Sequence, residues 1–284
     1  MTTNAIAQLV LSALCFSLTG ACAKGLLAAH SAHETVFLRS LLCTVLTLAT
    51  MPRTWRMIAG QRTGLLLVRG LLGYLGFQLY VSSLERIPFP DAAALTYTSP
   101  IVTGLLAGWI LAEPIRRRHL QALLLSSAGI VLILRPQLEL EGLGGAMALG
   151  SSLASAFAFI VIRTLTRTEA PQTIVLWFPL VTLPIAGWCA LPAFVWPRGG
   201  EWWLVLGLGV FSQLGQTTMT RALQLTGAGT VSNLSFLSLM FTSLWSILFF
   251  AEPPSLWVAA GSALVIAGLW TLGRPAAEVE SVSP

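Results

Sequence analysis

The sequence predicts an all-α integral membrane protein of ten transmembrane helices, arranged as two inverted five-helix repeats. Two observations predict this class. First, 55% of the 284 residues are hydrophobic and 10% are charged, whereas roughly 25% are charged in ordinary soluble domains. Second, the segment from Ala112 to Pro136 opens with Ala-Glu-Pro and closes with Arg-Pro, and the segment from Ala251 to Pro275 does the same. The composition indicates a chain in lipid, and the recurrence indicates an internal duplication.

Hydrophobic stretches close to the ~20 residues that cross a bilayer recur along the chain. The gaps between them are short and hold almost all of the charged residues, which leaves room for hairpin loops and for no soluble domain. The predicted spans are 5–29, 35–51, 64–84, 92–111, 120–134, 143–162, 174–192, 202–223, 230–250 and 256–272. Ala21-Cys22-Ala23 resembles a signal-peptide cleavage site, but no basic residue precedes the first span, so we expect this span to stay in the protein.

Basic residues at span ends predict the orientation of the chain, because they favour cytoplasmic loops. With both termini in the cytoplasm, ten arginines lie inside: Arg53, Arg56, Arg62, Arg116, Arg117, Arg118, Arg163, Arg167, Arg221 and Arg274. Four basic residues then lie outside: Lys24, Arg86, Arg135 and Arg198. We therefore expect a multi-pass protein of the bacterial cytoplasmic (inner) membrane, with both termini cytoplasmic.

One spacing, 139 residues, relates the two halves over several spans. Eight of the 25 positions in the two recurring segments are identical, and matches continue upstream: Gly70 with Gly209, Gly76 with Gly215, Leu95 with Leu234, Ser99 with Ser238, and Thr103 with Thr242. The predicted repeats are 1–138 and 139–275, followed by a cytoplasmic tail, 276–284. Because each repeat holds five spans, an odd number, the second copy must cross the membrane in the opposite sense.

The duplicated five-span plan, Arg39 within FLRSLL, and the segment LTYTSPIVTGLLAGWILAEPIRRRHLQALLLSSAGIVLILRP resemble the EamA branch of the drug/metabolite transporter superfamily. Within that branch the chain looks most similar to the aromatic and neutral amino-acid exporters of the YddG type. In the second copy, Leu239 replaces the proline that corresponds to Pro100. The resemblance implies metabolite transport, commonly export, and fixes no substrate.

Polar side chains near span centres are candidates for substrate contacts, since such residues are costly in lipid. Two groups lie at matching depths in the two copies, one in the third and eighth spans and one in the fourth and ninth. With two deep tryptophans, the predicted substrate contacts are Tyr74, Gln78, Tyr97, Ser99, Trp177, Gln213, Gln216, Thr217, Asn233 and Trp245. The alternative for each polar residue is a hydrogen bond that holds helices together, and for each tryptophan a contact with lipid or neighbouring helices.

Other residues are expected to have structural or gating roles: Arg39, Pro100, Gly104, Gly108, Glu113 and Glu252. Gly104 and Gly108 form a G-x-x-x-G pattern typical of close helix packing. Arg39 could bind a substrate carboxylate or the carbonyl groups of a neighbouring helix, and we favour the structural role. Arg69 lies near the cytoplasmic end of its span, so we expect its side chain to snorkel to water.

No Asp, Glu or His lies at the centre of a predicted span. This argues against a membrane proton relay, a deep site for permanent cations, and a membrane-embedded enzyme. A channel is also disfavoured, since no filter-like loop or ring of charges is present. We expect a carrier of small neutral or zwitterionic metabolites, most of all aromatic or neutral amino acids, with nucleosides as the alternative. The expected partners are the solute and the bilayer, with no cofactor, metal or nucleic acid, and with a monomer favoured.

Overall fold

The computed structural model describes residues 3–51, 58–96, 98–110, 117–134, 142–226 and 237–250, together with single helical positions between 257 and 268. These residues form α-helices and one 3-10 turn, with no strand among them. The helices are α1 (Thr3–Leu26), α2 (Ala32–Thr50), α3 (Thr63–Leu84), α4 (Phe89–Thr96), α5 (Ser99–Ile110), α6 (Arg117–Leu134), α7 (Gly142–Leu165), α8 (Pro171–Ala190), α9 (Glu201–Leu225) and α10 (Leu237–Phe250), and the 3-10 turn is Leu191–Ala193.

Five helices in the described part of the chain are long and apolar enough to cross a membrane: α1, α2, α3, α7, and α8 with its 3-10 turn. They correspond to the first, second, third, sixth and seventh predicted spans. Helix α6 corresponds to the fifth span, and α9, with 25 residues, to the eighth. Helix α10 is the described part of the ninth span. Most of the tenth lies outside the described residues.

The predicted span 92–111 contains two helices among the described residues, α4, which ends at Thr96, and α5, which begins at Ser99. Pro100 has no N–H to donate in the first turn of α5. Thr98 closes α4 by donating its N–H (3.2 Å) and its hydroxyl (2.7 Å) to the Leu95 carbonyl oxygen. The same hydroxyl shares a 2.7 Å hydrogen bond with the Ser152 hydroxyl on α7. The break therefore lies directly against the second half of the chain.

Helix α2 has the surface expected in lipid, with apolar side chains outside and hydroxyl groups inside. Its exposed apolar side chains include Leu41, Val45 and Leu48, and its buried hydroxyl residues are Thr35, Ser40, Thr44 and Thr47. Each of these hydroxyls donates to the carbonyl oxygen one turn earlier in the chain. No partner outside the helix is then needed for these polar atoms, so the helix can expose its apolar face to lipid.

Two pairs of helices, each with one helix from each half, pack in equivalent ways. Helix α1 packs along α9 and α3 along α7, and the repeat relates α1 to α7 and α3 to α9. The Ser12 hydroxyl on α1 donates to the Gly215 carbonyl oxygen on α9 (3.1 Å). The Ser151 hydroxyl on α7 donates to the Gly76 carbonyl oxygen on α3 (2.7 Å). Because Ser12 with Ser151, and Gly76 with Gly215, are each 139 residues apart, the two halves make the same hydrogen bond.

Two glycines, one in each half, allow two helix crossings of equal closeness. A Cβ atom on Gly70 of α3 would lie 2.6 Å from Val181 Cβ on α8. A Cβ atom on Gly209 of α9 would lie 2.6 Å from Leu42 Cβ on α2. Gly70 corresponds to Gly209 and Leu42 to Val181 in the repeat. Glycine is therefore required at both crossings, and the crossings are related by the repeat.

Carboxylates near helix ends tie the loops to the helices. The Glu169 carboxylate accepts a hydrogen bond from the Arg62 N–H (2.6 Å) just before α3. The Glu201 carboxylate at the start of α9 accepts from the Arg198 N–H (2.6 Å) and lies 3.2 Å from His30 Nε2. These two contacts, first the Arg198 N–H and then the His30 ring, hold the pKa of the Glu201 carboxyl below its ordinary value. In the repeat, His30 corresponds to Glu169 and Arg62 corresponds to Glu201. The contact of Glu169 with Arg62 and that of Glu201 with His30 therefore join equivalent positions, and each contains one carboxylate.

Candidate functional site

A cavity of about 170 Å³ lies between the two halves. Twelve of its lining residues form six pairs spaced 139 residues apart, with one member from each half. The pairs are Phe16 with Ser155, Thr19 with Ala158, Gly20 with Phe159, Phe77 with Gln216, Tyr80 with Met219, and Ser99 with Ser238. The cavity therefore lies where equivalent surfaces of the two repeats meet.

One face of α3 forms a large part of the wall. It contributes residues at helical spacing, three or four apart: Arg69, Leu72, Gly73, Gly76, Phe77 and Tyr80. An α-helix turns by about 100° per residue, so these positions share one stripe. The corresponding stripe on α9 contributes Gln216 and Met219.

The wall combines aromatic rings with polar groups. The rings are Phe16, Phe77, Tyr80, Phe159 and Phe178. The hydroxyls of Thr96 and Ser238 are buried and have no hydrogen-bond partner among the described residues. Arg69 is the charged residue of the described lining. Such a wall suits a small solute that has both an apolar part and polar groups.

Arg69 does not snorkel to water as predicted. The residue is 2% exposed, and its Nη2 donates to Gln216 Oε1 (2.9 Å). Its guanidinium carbon lies 4.6 Å from the centre of the Phe178 ring. The Arg69 side chain can lie along α3 because Gly73 has no side chain. A Cβ atom on Gly73 would collide with Arg69 Nη1 and approach Phe178 Cδ2 to 2.6 Å. The space left by this glycine places the guanidinium at the cavity.

Arg39 lies beside this group, outside the cavity lining. Its Nε donates to the Ser212 hydroxyl (2.6 Å), and its guanidinium carbon lies 4.2 Å from the Phe77 ring centre and 4.3 Å from that of Phe178. Arg39 and Phe178 are repeat partners. Phe178 approaches Gly73 just as Arg39 approaches Ser212, the partner of Gly73. This placement favours the structural role over substrate contact for Arg39.

Two of the predicted substrate contacts, Ser99 and Gln216, line the cavity. Six others are described and lie outside its lining: Tyr74, Gln78, Trp177, Gln213, Thr217 and Trp245. Tyr97 and Asn233 are outside the described residues, as are Glu113 and Glu252. A role in substrate binding stays a prediction for the ten residues proposed as substrate contacts, and a structural or gating role stays a prediction for Glu113 and Glu252.

The polar atoms of several of these residues have identified partners. Trp177 Nε1 donates to the Ile58 carbonyl oxygen (3.0 Å), and Trp245 Nε1 donates to the Ser17 hydroxyl (2.9 Å). Gln78 Nε2 donates to the Ser82 hydroxyl (3.2 Å), and the Thr217 hydroxyl donates to the Gln213 carbonyl oxygen (2.8 Å). These bonds fit the alternative that such groups hold helices and loops in place.

Gly104 lies half-buried on α5, a helix that packs against α6 and α7. Pro100 and Gly108 belong to the same helix, and their predicted roles stay predictions. The packing of α5 on α7 fits the close-contact role expected for Gly104.

The aromatic lining and Arg69 are the features that sequence reasoning missed. Phe16, Phe77 and Phe159 are ordinary apolar residues in the sequence. Their one signal is the repeat, because Phe77 corresponds to Gln216 and Phe16 and Phe159 correspond to small residues, Ser155 and Gly20. A search for cavity positions among the repeat partners of polar residues would have found Phe16 and Phe77, whose partners are Ser155 and Gln216, but not Phe159, whose partner is Gly20.

A model of the EamA-like transporter family matches the chain twice, over residues 3–135 and 142–274. The pseudopaline exporter CntI of Pseudomonas aeruginosa is 31% identical over 267 residues, which are 93% of this chain and 94% of that protein. The riboflavin transporter of Rhizobium johnstonii is 30% identical over 201 residues, 70% of this chain and 67% of that protein. A solved crystal structure with 20% identity covers 95% of this chain and 98% of its own, with a TM-score of 0.77. At that identity the likeness shows the fold alone.

Proposed function

Because the chain belongs to the EamA-like transporter family, we propose that it exports small neutral or zwitterionic metabolites, foremost aromatic and neutral amino acids, across a bacterial inner membrane. In this proposal ten helices form two inverted repeats that open the central cavity to each side in turn. Membership of this family makes the protein a multi-pass membrane transporter and not an enzyme.

The observation that carries the proposal is the cavity built from six repeat-related pairs. Transporters with inverted repeats bind their solute where the halves meet, and they exchange the conformations of the two halves to change access. Here the pairs α1 with α9 and α3 with α7 make equivalent hydrogen bonds through Ser12 and Ser151. Equivalent contacts let the two halves exchange their arrangements at little cost.

The size and lining of the cavity support an amino-acid-sized solute. Its volume of about 170 Å³ is below the roughly 300–1,000 Å³ of pockets for drug-sized ligands. The five aromatic rings of the wall suit the apolar side chain of an amino acid, and Ser99, Ser238 and Gln216 can form hydrogen bonds with its polar groups. The export direction is supported by the relative that is named an exporter.

Counter-flow in liposomes tests the proposal. Purified protein is reconstituted into vesicles loaded with unlabelled phenylalanine, and the entry of labelled phenylalanine is followed with tryptophan, leucine or uridine as competitor. We expect saturable, transient accumulation that the amino acids reduce and uridine does not. Competition by uridine alone would assign the protein to nucleosides, and flux that rises linearly with concentration would indicate a channel.

A matched pair of variants on α7 links transport to this cavity. Ser155→Phe adds a ring to the cavity lining at the position whose repeat partner is Phe16, and it should block counter-flow. Leu153→Phe introduces the same ring two residues away, on a side chain that is 52% exposed on the outer surface. The Leu153 variant should transport normally. Equal transport by both variants would place the solute path elsewhere.

A further inference from the structure

Two buried guanidinium groups share the Phe178 ring. Arg39 is 1% exposed and Arg69 is 2% exposed, and their guanidinium carbons lie 4.3 Å and 4.6 Å from the centre of that ring. Within the described part of the chain, the ion pairs are His30 with Glu201 and Arg86 with Glu85, both near helix ends. The ring faces attract the cations, but a buried positive charge without an anion is still unfavourable.

Each arginine has one buried nitrogen without a hydrogen-bond partner among the described residues, Nη1 in Arg39 and Nε in Arg69. The two differ in their position relative to the cavity. Arg39 is held between two rings and bonded to Ser212, outside the cavity lining. Arg69 lines the cavity, and its Nε has no hydrogen-bond partner among the described residues. A guanidinium presents several N–H donors in one plane, a geometry that matches a carboxylate. Arg69 is therefore the group that can bind an anion in the cavity.

Neighbouring groups add donors. Arg69 can only donate, so the oxygen of the Gln216 side chain must face it, which leaves the Gln216 amide nitrogen to donate elsewhere. The Ser238 hydroxyl, on a residue 1% exposed, lines the cavity without a partner among the described residues. The described lining offers no carboxylate that would attract an ammonium group.

We propose that Arg69 binds a carboxylate of the transported solute, with Gln216 and Ser238 as further donors and the aromatic rings around the apolar part. The substrate class is then a small carboxylate-bearing molecule, either a zwitterionic amino acid or an aromatic carboxylate. Simple amines and nucleosides are excluded from this class. The inference rests on the proposed function in one respect, that the cavity is the transport site.

Four probes that share a phenyl group test this directly: phenylalanine, 3-phenylpropionate, phenylalanine amide and phenethylamine. Their binding to purified wild-type protein is measured by thermal stabilisation and by competition. We expect the two carboxylates to bind about ten- to a hundredfold more tightly than the amide and the amine, as for a hydrogen-bonded charged group. Equal binding of the four probes, or no binding of either carboxylate, overturns the inference.

Variants then assign the preference to Arg69. Arg69→Gln should reduce carboxylate affinity about ten- to a hundredfold and leave amide affinity nearly unchanged. Arg69→Lys should lie between, because an ammonium keeps the charge and loses the planar fork. Arg39→Lys is the matched control, since it alters the other guanidinium on the same ring and should preserve the ratio of carboxylate to amide affinity. A wild-type ratio in Arg69→Gln contradicts the inference.

A second variant keeps the test informative if Arg69→Gln does not fold. Gln216→Glu puts a carboxylate at the position whose oxygen now lies 2.9 Å from Arg69 Nη2. This internal anion should occupy Arg69, raise the melting temperature and remove the preference for carboxylate probes. Retention of the wild-type preference in Gln216→Glu would overturn the inference.

The results separate this inference from the proposed function. If no amino acid shows counter-flow while carboxylates still bind through Arg69, the anion site stands and the amino-acid export falls. If phenylalanine and its amide are transported equally well, the export of amino-acid-like solutes stands and the anion site falls.

Discussion

Gly70→Ala tests whether the close approach of α3 and α8 holds the cavity wall in place. A Cβ atom at this position would lie 2.6 Å from both Cβ and Cγ2 of Val181 and 2.9 Å from the Trp177 carbonyl oxygen. Real Cβ atoms essentially never approach other atoms to less than 3.0 Å. Because Cβ and a carbonyl oxygen cannot rotate away, the helices themselves must separate.

The magnitude follows from two opposing contributions. Overpacking a tight contact costs about 1–3 kcal/mol, and the rigid neighbours here place Gly70→Ala in the upper part of that range. Alanine in place of glycine within a helix stabilises by roughly 0.5–1 kcal/mol. Gly64→Ala, in the same helix, adds its methyl group to open space, with no atom within 4 Å. The two variants should therefore differ in free energy of unfolding by about 2–3 kcal/mol, with Gly70→Ala the less stable.

The assay is unfolding of the purified protein in mixed micelles with increasing SDS, followed by circular dichroism. Val181→Ala keeps Cβ and so should not rescue Gly70→Ala, whereas Val181→Gly should rescue it in part, since the Trp177 carbonyl contact remains. Gly209→Ala should be destabilised like Gly70→Ala, because its Cβ would meet Leu42 at the equivalent crossing. Stabilities of Gly70→Ala and Gly64→Ala within about 0.5 kcal/mol of each other would refute the reasoning.

Ser12→Ala and Ser151→Ala each remove one interhelical hydrogen bond and should each cost about 0.6 kcal/mol, at most about 1.7. The costs should add in the double variant under the same SDS titration, and strong coupling would argue against two independent contacts. Gln216→Ala should reduce counter-flow more than Gln213→Ala does, because the first lines the cavity and the second does not; the reverse order would move the site to the other face of α9. Arg117→Cys should resist an impermeant thiol reagent added outside intact cells, since the basic loop at that position is expected in the cytoplasm, and ready labelling would reverse the orientation. An imposed pH gradient alone should not concentrate the solute in liposomes, because no carboxylate or histidine lies at the centre of a predicted span; accumulation would reveal a proton acceptor.

The paired contacts of the fold were predictable to the extent that the repeat spacing is visible. The match of Gly70 with Gly209 and of Gly76 with Gly215 is present in the sequence, and the structure puts each pair into equivalent helix contacts. The partners of these glycines were not predictable. The sequence shows that small residues recur, but which side chain approaches them depends on how helices cross in three dimensions.

The depth of the candidate site was predictable, but the face of the helix was not. Tyr74 and Gln78 each come one residue after a lining position of α3, Gly73 and Phe77. One residue is about 100° around the helix. Polarity favoured Tyr74 and Gln78 as site residues, yet the stripe that faces the cavity is mainly aromatic and glycine.

The direction of Arg69 was also beyond sequence reasoning. Its position near a span end favoured snorkelling, and nothing in the α3 sequence excludes it. The decisive features are the absence of a side chain at Gly73 and the position of the Phe178 ring, which comes from α8. A side chain directed by a ring from another helix can be placed only when the helix packing is known.

The two repeats make equivalent helix contacts through Ser12 and Ser151 and through Gly70 and Gly209, but their contributions to the cavity wall differ. Among the six lining pairs, Ser99 with Ser238 is alike, whereas the other five differ, as in Phe77 with Gln216 and Phe16 with Ser155. Equivalent helix contacts allow two arrangements of similar energy, which alternating access needs. If Arg69 binds the solute as proposed, the unequal walls give that solute one preferred orientation, because Arg69 lies on α3 while its repeat partner on α9 is Leu208. A duplicated scaffold can thus change its access symmetrically while it binds an asymmetric solute in a single way.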